Sequence, residues 1–180
     1  MMQKNIAAAV EKAKKIKLVI FDVHGVLSNN DVLYDSQGNR IRQFCHEDGF
    51  GMNAMMLMGI EVAVITRKSK SVEARMADIG VKRFYQTKEK IAKYEELLKE
   101  LNITDEEVCY VGDEVIDCGV MKRVGFAVAP SDAKKMAMEI ADYVTEKAGG
   151  YGVARELAEF ILEAQGKWQP FCEKVMAKGW

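Results

Sequence analysis

The sequence predicts an α/β fold: a Rossmann-like parallel sheet with helices on both faces and a β-hairpin inserted after the first strand. Three observations carry that expectation. Short apolar runs rich in Val and Ile recur at Lys17–Phe21, Glu61–Ile65, Val108–Val111 and Phe126–Val128. Amphipathic stretches of helical period lie between them, the alternation of a parallel sheet wrapped by helices. One segment, residues 31–44, breaks the alternation and reads as strand, turn and strand, with Ser36-Gln37-Gly38-Asn39 at its tip.

The first run, KLVIF, leads straight into Asp22, so the hairpin that follows stands above the carboxyl end of the sheet, where open α/β folds bind ligands. A helix begins near Gly49. The run EVAVI closes on Thr66, after which Ser69 is placed to cap a helix through Ile79, with Glu73 in its first turn and Gly80 just past its end. From Lys88 to Leu101, Ile91, Tyr94, Leu97, Leu98 and Leu101 recur at spacings of three and four and predict a helix with one buried face. Val153, Leu157, Phe160, Ile161 and Ala164 mark a last helix after Gly149-Gly150, a pair expected to be flexible. The tail carries two Trp and a Phe without clear periodicity and is expected to dock, on this subunit or a neighbour. The domain organisation is a single domain, 1–180, with a hairpin insert at about 31–46 and a tail at about 166–180.

Composition removes several classes of function. Lys and Arg number 26 against 27 Asp and Glu, so there is no positive field for nucleic acid or an anionic membrane surface. The longest apolar runs fall far short of the roughly 20 residues that cross a bilayer. The Ala-rich N-terminus is broken by Glu11 and lysines before a signal peptide could form. Cys45, Cys109, Cys118 and Cys172 form no CxxC pair, and the two histidines, His24 and His46, have no ligand spacing to a cysteine pair. Reduced thiols in a cytoplasmic protein are the expectation, rather than disulfides or structural zinc.

Four strand ends carry residues able to do chemistry. Asp22, followed by Gly25, is a carboxylate at a strand tip and can be a nucleophile; Asp is equally a common turn former there. The strand VCYV ends in Gly112, Asp113 and Glu114, with Asp117 three residues on. If the two strands are neighbours, Asp22 and Asp113 meet at one edge, where two carboxylates repel unless a cation such as Mg2+ joins them. The alternative is a helix cap with first-turn charges favoured by the macrodipole, a part that Asp117 plays in either case. Thr66 ends one strand and Lys90 opens the helix after RFYQ; a hydroxyl and an ammonium at the same edge suit a phosphoryl group.

In that order, the four sites resemble the haloacid dehalogenase-like superfamily. Among its branches the chain resembles the capless 3-deoxy-D-manno-octulosonate 8-phosphate phosphatases, through VLYDSQGNRIRQF with EDGFGM, GIEVAVIT with RKS, YQTKEKIAKYEELL, YVGDEVIDCGVMKRVGFAVAPSDA, ADYVTEKAGGYGVARE and AQGKW. The resemblance covers Lys17 to Trp168. It implies a phosphoaspartate mechanism in lipopolysaccharide biosynthesis, with a small phosphorylated sugar acid as substrate. On that resemblance Asp22 would attack phosphorus, and Mg2+ would be held by Asp22, the backbone carbonyl of His24 and Asp113. Thr66 and Lys90 would bind the phosphoryl group, and Arg67 and Asp48 would serve substrate binding. It also implies a homotetramer, with hairpins packed together and a neighbour's tail near each site.

The chain departs from the family pattern at named positions. His24 stands where the family has the Asp that protonates the leaving group; imidazole can transfer protons but is bulkier. Thr66-Arg67 lacks the glycine of Thr-Gly-Arg, Gln86-Thr87 replaces Gln-Gly, Glu114 replaces the second Asp of Gly-Asp-Asp, and Glu47-Asp48-Gly49 replaces Arg-Asp-Gly. Two other readings therefore stand beside the phosphatase: a phosphosugar-binding or regulatory protein on the same scaffold, and a nonulosonate 9-phosphate phosphatase.

Overall fold

A computed structural model describes residues 5–178. The first residues of the N-terminal reading and Trp180 of the tail lie outside the described residues. The main sheet has six strands, all parallel, in the order β5-β4-β1-β6-β7-β8. These are β1 (Leu18–Phe21), β4 (Glu61–Thr66), β5 (Arg83–Gln86), β6 (Val108–Val111), β7 (Phe126–Ala129) and β8 (Tyr143–Val144). β2 (Leu33–Tyr34) and β3 (Arg40–Ile41) form the antiparallel hairpin expected after β1. Its turn is tied by Asp35, whose carboxylate accepts from the backbone N–H groups of Gln37 and Asn39 and from Asn39 Nδ2.

β1 is fully buried, and its alternation divides the core. Val19 and Phe21 face a cluster built with α1 (Ile6–Ala13), α2 (His46–Leu57) and α7 (Val153–Ala164), where Met52, Met55, Leu157 and Ile161 pack. Leu18 and Ile20 face the other cluster, with Tyr94 and Leu97 of α4 (Lys90–Leu101) and Val120 and Met121 of α5 (Cys118–Met121). α6 (Lys135–Ile140) adds Ala137 to that second side. Helices on both faces are thus observed as predicted.

α3 (Lys70–Ile79) begins after Ser69 and ends at Gly80 in the left-handed region, as expected. α4 starts two residues later than read, and Ile91, in its first turn, is exposed instead of buried. β5 and β8 lie at the sheet edges. They are short and only half-buried, so neither produced an apolar run.

Two expectations about the C-terminal third need correction. Gly149 and Gly150 are tightly packed: a Cβ at Gly149 would lie 2.1 Å from the carbonyl oxygen of Gly25, so the pair is a close backbone approach behind the loop after β1. The tail is a regular helix, α8 (Trp168–Lys178). Phe171 is 1% exposed and meets Phe50 of α2 edge-on at 5.7 Å, while Trp168 stacks on Phe171 at 5.2 Å. Arg155 of α7 lies over both Phe50 and Trp168. The aromatics of α8 dock on their own subunit. No helix among the described residues is long and apolar enough to cross a membrane.

Candidate active site

The order of strands brings the site together. β1 lies between β4 and β6, so the residues just past three adjacent parallel strands share one edge. Asp22 follows β1, Thr66 ends β4, and Gly112-Asp113 follow β6; Lys90 opens α4 after the neighbouring β5. All four of these site residues are buried.

Lys90 Nζ lies 3.0 Å from Asp22 Oδ1 and 2.6 Å from Asp117 Oδ1. Asp117 is fixed by three further donors: Tyr110 Oη at 2.7 Å to Oδ1, and the backbone N–H groups of Asp113 and Glu114, each at 3.2 Å to Oδ2. One ligand oxygen each of Asp22, Asp113 and Asp117 lies within 4.8 Å of the others. Asp113 Oδ2 accepts from Asn30 Nδ2 at 3.2 Å, whereas its Oδ1 is buried without a hydrogen-bond partner. Gly25 makes the cluster possible: it is left-handed, with φ 77°, and a Cβ there would lie 2.0 Å from Asp113 Oδ2.

The electrostatics follow from burial. Asp22 is pushed up to about 7, first by desolvation and then by repulsion from Asp117, against the pull of Lys90. Desolvation likewise raises Asp113 to about 6, against the hydrogen bond from Asn30. Burial opposes the charge on Lys90, but the facing carboxylates of Asp22 and Asp117 outweigh it and raise its pKa. Three buried carboxylates around one ammonium lack positive charge, and the unpartnered Asp113 oxygen points to where that charge is missing. An all-oxygen donor set of this kind fits a hard divalent cation.

His24 is half-buried, with Nδ1 3.4 Å from Thr66 Oγ1. Desolvation lowers its pKa to about 4, helped by the positive charges of Arg42, Arg40, Lys90 and Arg67. The imidazole is neutral at neutral pH, so a charged ring does not oppose a cation there.

A cavity of about 750 Å³ opens over this cluster, lined by Asp22, His24, Arg67, Lys90 and Asp113 among others. Five of the predicted site residues therefore meet on one wall. Thr66 is fully buried behind His24 and is not on the wall. Asp48 is not brought to the pocket: it is buried under α7, where Oδ1 accepts from the Ala154 N–H at 2.7 Å. Gly152, at the cap of α7, has no side chain to serve that helix end, and Asp48 supplies the acceptor from 106 residues away in sequence. Burial raises the Asp48 pKa to about 6, against the backbone hydrogen bonds it accepts. Sequence reasoning missed Asn30, Arg40 and Lys134, which line the cavity, and saw Asp117 only as a helix cap. The spacing of Asp117, four residues after Asp113, was the available signal for its inward position.

A family model of haloacid dehalogenase-like hydrolases matches residues 80–157. A 3-deoxy-D-manno-octulosonate 8-phosphate phosphatase of Escherichia coli (strain K12) is 43% identical over 163 residues, spanning 89% of this chain and 87% of that protein. The chain belongs to that phosphatase family, within the haloacid dehalogenase-like hydrolases. Solved structures agree. The phosphatase of this family from Yersinia pestis superposes with a TM-score of 0.87 at 38% identity, over 90% of this chain and 89% of that one. The one from Moraxella catarrhalis, solved with magnesium, phosphate and the sugar acid, gives 0.91 at 32% identity, over 95% and 99%. In this chain His24 and Thr66-Arg67 lie beside Lys90, which is bound by Asp22 and Asp117.

Proposed function

We propose that this chain is a Mg2+-dependent phosphatase that hydrolyses 3-deoxy-D-manno-octulosonate 8-phosphate through a phosphoaspartate at Asp22. The observation that carries this reading is the clamp of Lys90 between Asp22 and Asp117 beside the unpartnered oxygen of Asp113. Asp22, Asp113 and the backbone carbonyl of His24 hold Mg2+, which when bound offsets the charge that nucleophile and phosphate share.

In the first half-reaction an Asp22 oxygen forms a bond to phosphorus as the bond from phosphorus to the sugar oxygen breaks. Lys90 stays within reach of the nucleophile and neutralises charge on the phosphoryl oxygens. The small protonated fraction of His24 delivers a proton to the leaving sugar oxygen. In the second half, water attacks phosphorus, its proton passes to neutral His24, and the bond to Asp22 breaks to release inorganic phosphate. Thr66 orients the His24 ring through Nδ1, and Arg67 adds positive charge to the wall that receives the substrate.

The hairpin leaves Val32, Leu33, Tyr34 and Ile41 exposed, which supports packing of hairpins in a homotetramer. Sedimentation as a four-chain species checks this. The cytoplasm is the proposed compartment, supported by four unpaired cysteines.

The test is phosphate release from this sugar-acid phosphate in the presence of Mg2+, with Asp22→Asn as control. Turnover by the wild type that the variant lacks is expected. Wild-type release no greater than the control, with tight binding of the ester, would replace the phosphatase by a phosphosugar-binding protein.

A further inference from the structure

We propose that Arg40, on the inserted hairpin, is the specificity-determining residue of this pocket, its guanidinium receiving the carboxylate of an acidic leaving group. The inference rests on the phosphatase reading and deepens it. A cavity of about 750 Å³ holds much more than a phosphate ion and has the size of a site for a whole sugar phosphate.

The charges on its wall call for a second anion. Arg40, Arg67, Lys68, Lys70 and Lys134 all line the cavity, and among the described residues none is paired with a carboxylate. Away from the cavity four arginines are matched by carboxylates: Arg75 by Asp78, Arg83 by Glu61 and Glu100, Arg123 by Glu95, Arg155 by Glu159. Lys90, at the phosphoryl end, is already held by two carboxylates.

Arg40 is singled out by how the hairpin is seated. Arg40 begins β3 and lines the cavity, and Arg42 follows just past the end of that strand. Arg42 donates from Nη1 to Ser28 Oγ at 2.8 Å, and Ser28 Oγ donates to the Val23 carbonyl at 3.2 Å. That chain of bonds anchors the end of β3, and with it Arg40, to the loop that leaves Asp22. The charge of Arg40 is felt at His24, which handles the proton of the leaving group. The acid within the hairpin turn, Asp35, is occupied by Gln37 and Asn39, so the Arg40 guanidinium stays open. A planar fork of donors suits a carboxylate better than the lysine point charges across the cavity.

The experiment compares full-length wild type, Arg40→Gln and Arg40→Lys with Mg2+. For 3-deoxy-D-manno-octulosonate 8-phosphate, kcat/KM falls about 10- to 100-fold in Arg40→Gln, mainly through KM, and less in Arg40→Lys. For para-nitrophenyl phosphate, whose leaving group has no carboxylate, the loss is much smaller. Calorimetry with the free sugar acid needs no turnover. Binding that Arg40→Gln abolishes supports the role of Arg40 even if no ester is hydrolysed. Turnover with unchanged selectivity leaves the phosphatase reading standing and overturns this one. Equal losses on both esters overturn it, as does an altered elution volume of the variant, which would make Arg40 a subunit contact. A wild type that neither binds the acid nor turns over overturns both.

Discussion

Tyr110 and Lys90 donate to the same atom, Asp117 Oδ1, at 2.7 Å and 2.6 Å, so a phenol buried in the sheet sets the position of the ammonium beside the nucleophile. Tyr110 is fully buried, and Asp117 acts on the reaction through Lys90, not by touching substrate. Both are positioning residues.

Tyr110→Phe removes that donor and leaves the shape unchanged. A buried carboxylate that loses one hydrogen bond costs about 1–3 kcal/mol of stability. A lower melting temperature is expected, with a fall of about tenfold in kcat and little change in KM, because the disturbed group meets charge developing in the transition state. Unchanged kcat in a folded variant would deny Tyr110 this role.

Gly25→Ala places a Cβ 2.0 Å from Asp113 Oδ2 at a φ of 77°, so both backbone and carboxylate must move. Destabilisation of about 1–3 kcal/mol is expected from strain. Titration with Mg2+ monitored by thermal shift gives the more specific readout: the variant loses the metal-dependent gain shown by the wild type.

Asp48 makes stability depend on pH without touching the pocket. Its folded pKa, about 6, lies above the ordinary 3.8, so the folded state holds the proton more tightly than the unfolded one. Its contribution is full below about pH 4 and is lost as pH rises through 6, an effect on the order of 2–3 kcal/mol. Asp48→Asn keeps an acceptor for the Ala154 N–H and has no charge to bury. Denaturant melts from pH 4 to 7 without metal are expected to show a shallower loss of stability in the variant; parallel curves would refute the assignment.

His24→Asp tests proton delivery. With its pKa lowered to about 4, His24 is scarcely protonated at neutral pH, whereas burial at this edge raises carboxyl groups, as it does Asp22 and Asp113. General-acid help is worth roughly 10²–10⁴ in rate. The variant is expected to gain at least about tenfold in kcat on the sugar phosphate, with a much smaller gain on para-nitrophenyl phosphate, whose leaving group needs no proton. Equal gains would show that His24 limits binding instead.

Much of the site was legible because strand ends announce themselves locally. Apolar runs closing on Asp22, Thr66 and Asp113 could be read directly, and a parallel sheet delivers such tips to one edge whatever lies between them. The edge strand β8 was not legible, and β5 showed only as the short run RFYQ before Lys90. Half-buried and very short, they are held by pairing with β4 and β7.

The sequence by itself determined the α/β architecture, the hairpin after β1 and the acid and lysine framework, because periodicity and turn chemistry act over a few residues. Only the tertiary structure decided that Asp48 serves the end of α7, that the aromatic tail is a helix docked on Phe50, and that Arg40 reaches the pocket wall. Those outcomes depend on which helix ends lack a partner and which surfaces meet once the sheet is wrapped. The first two join residues more than a hundred positions apart, beyond the range of any local pattern.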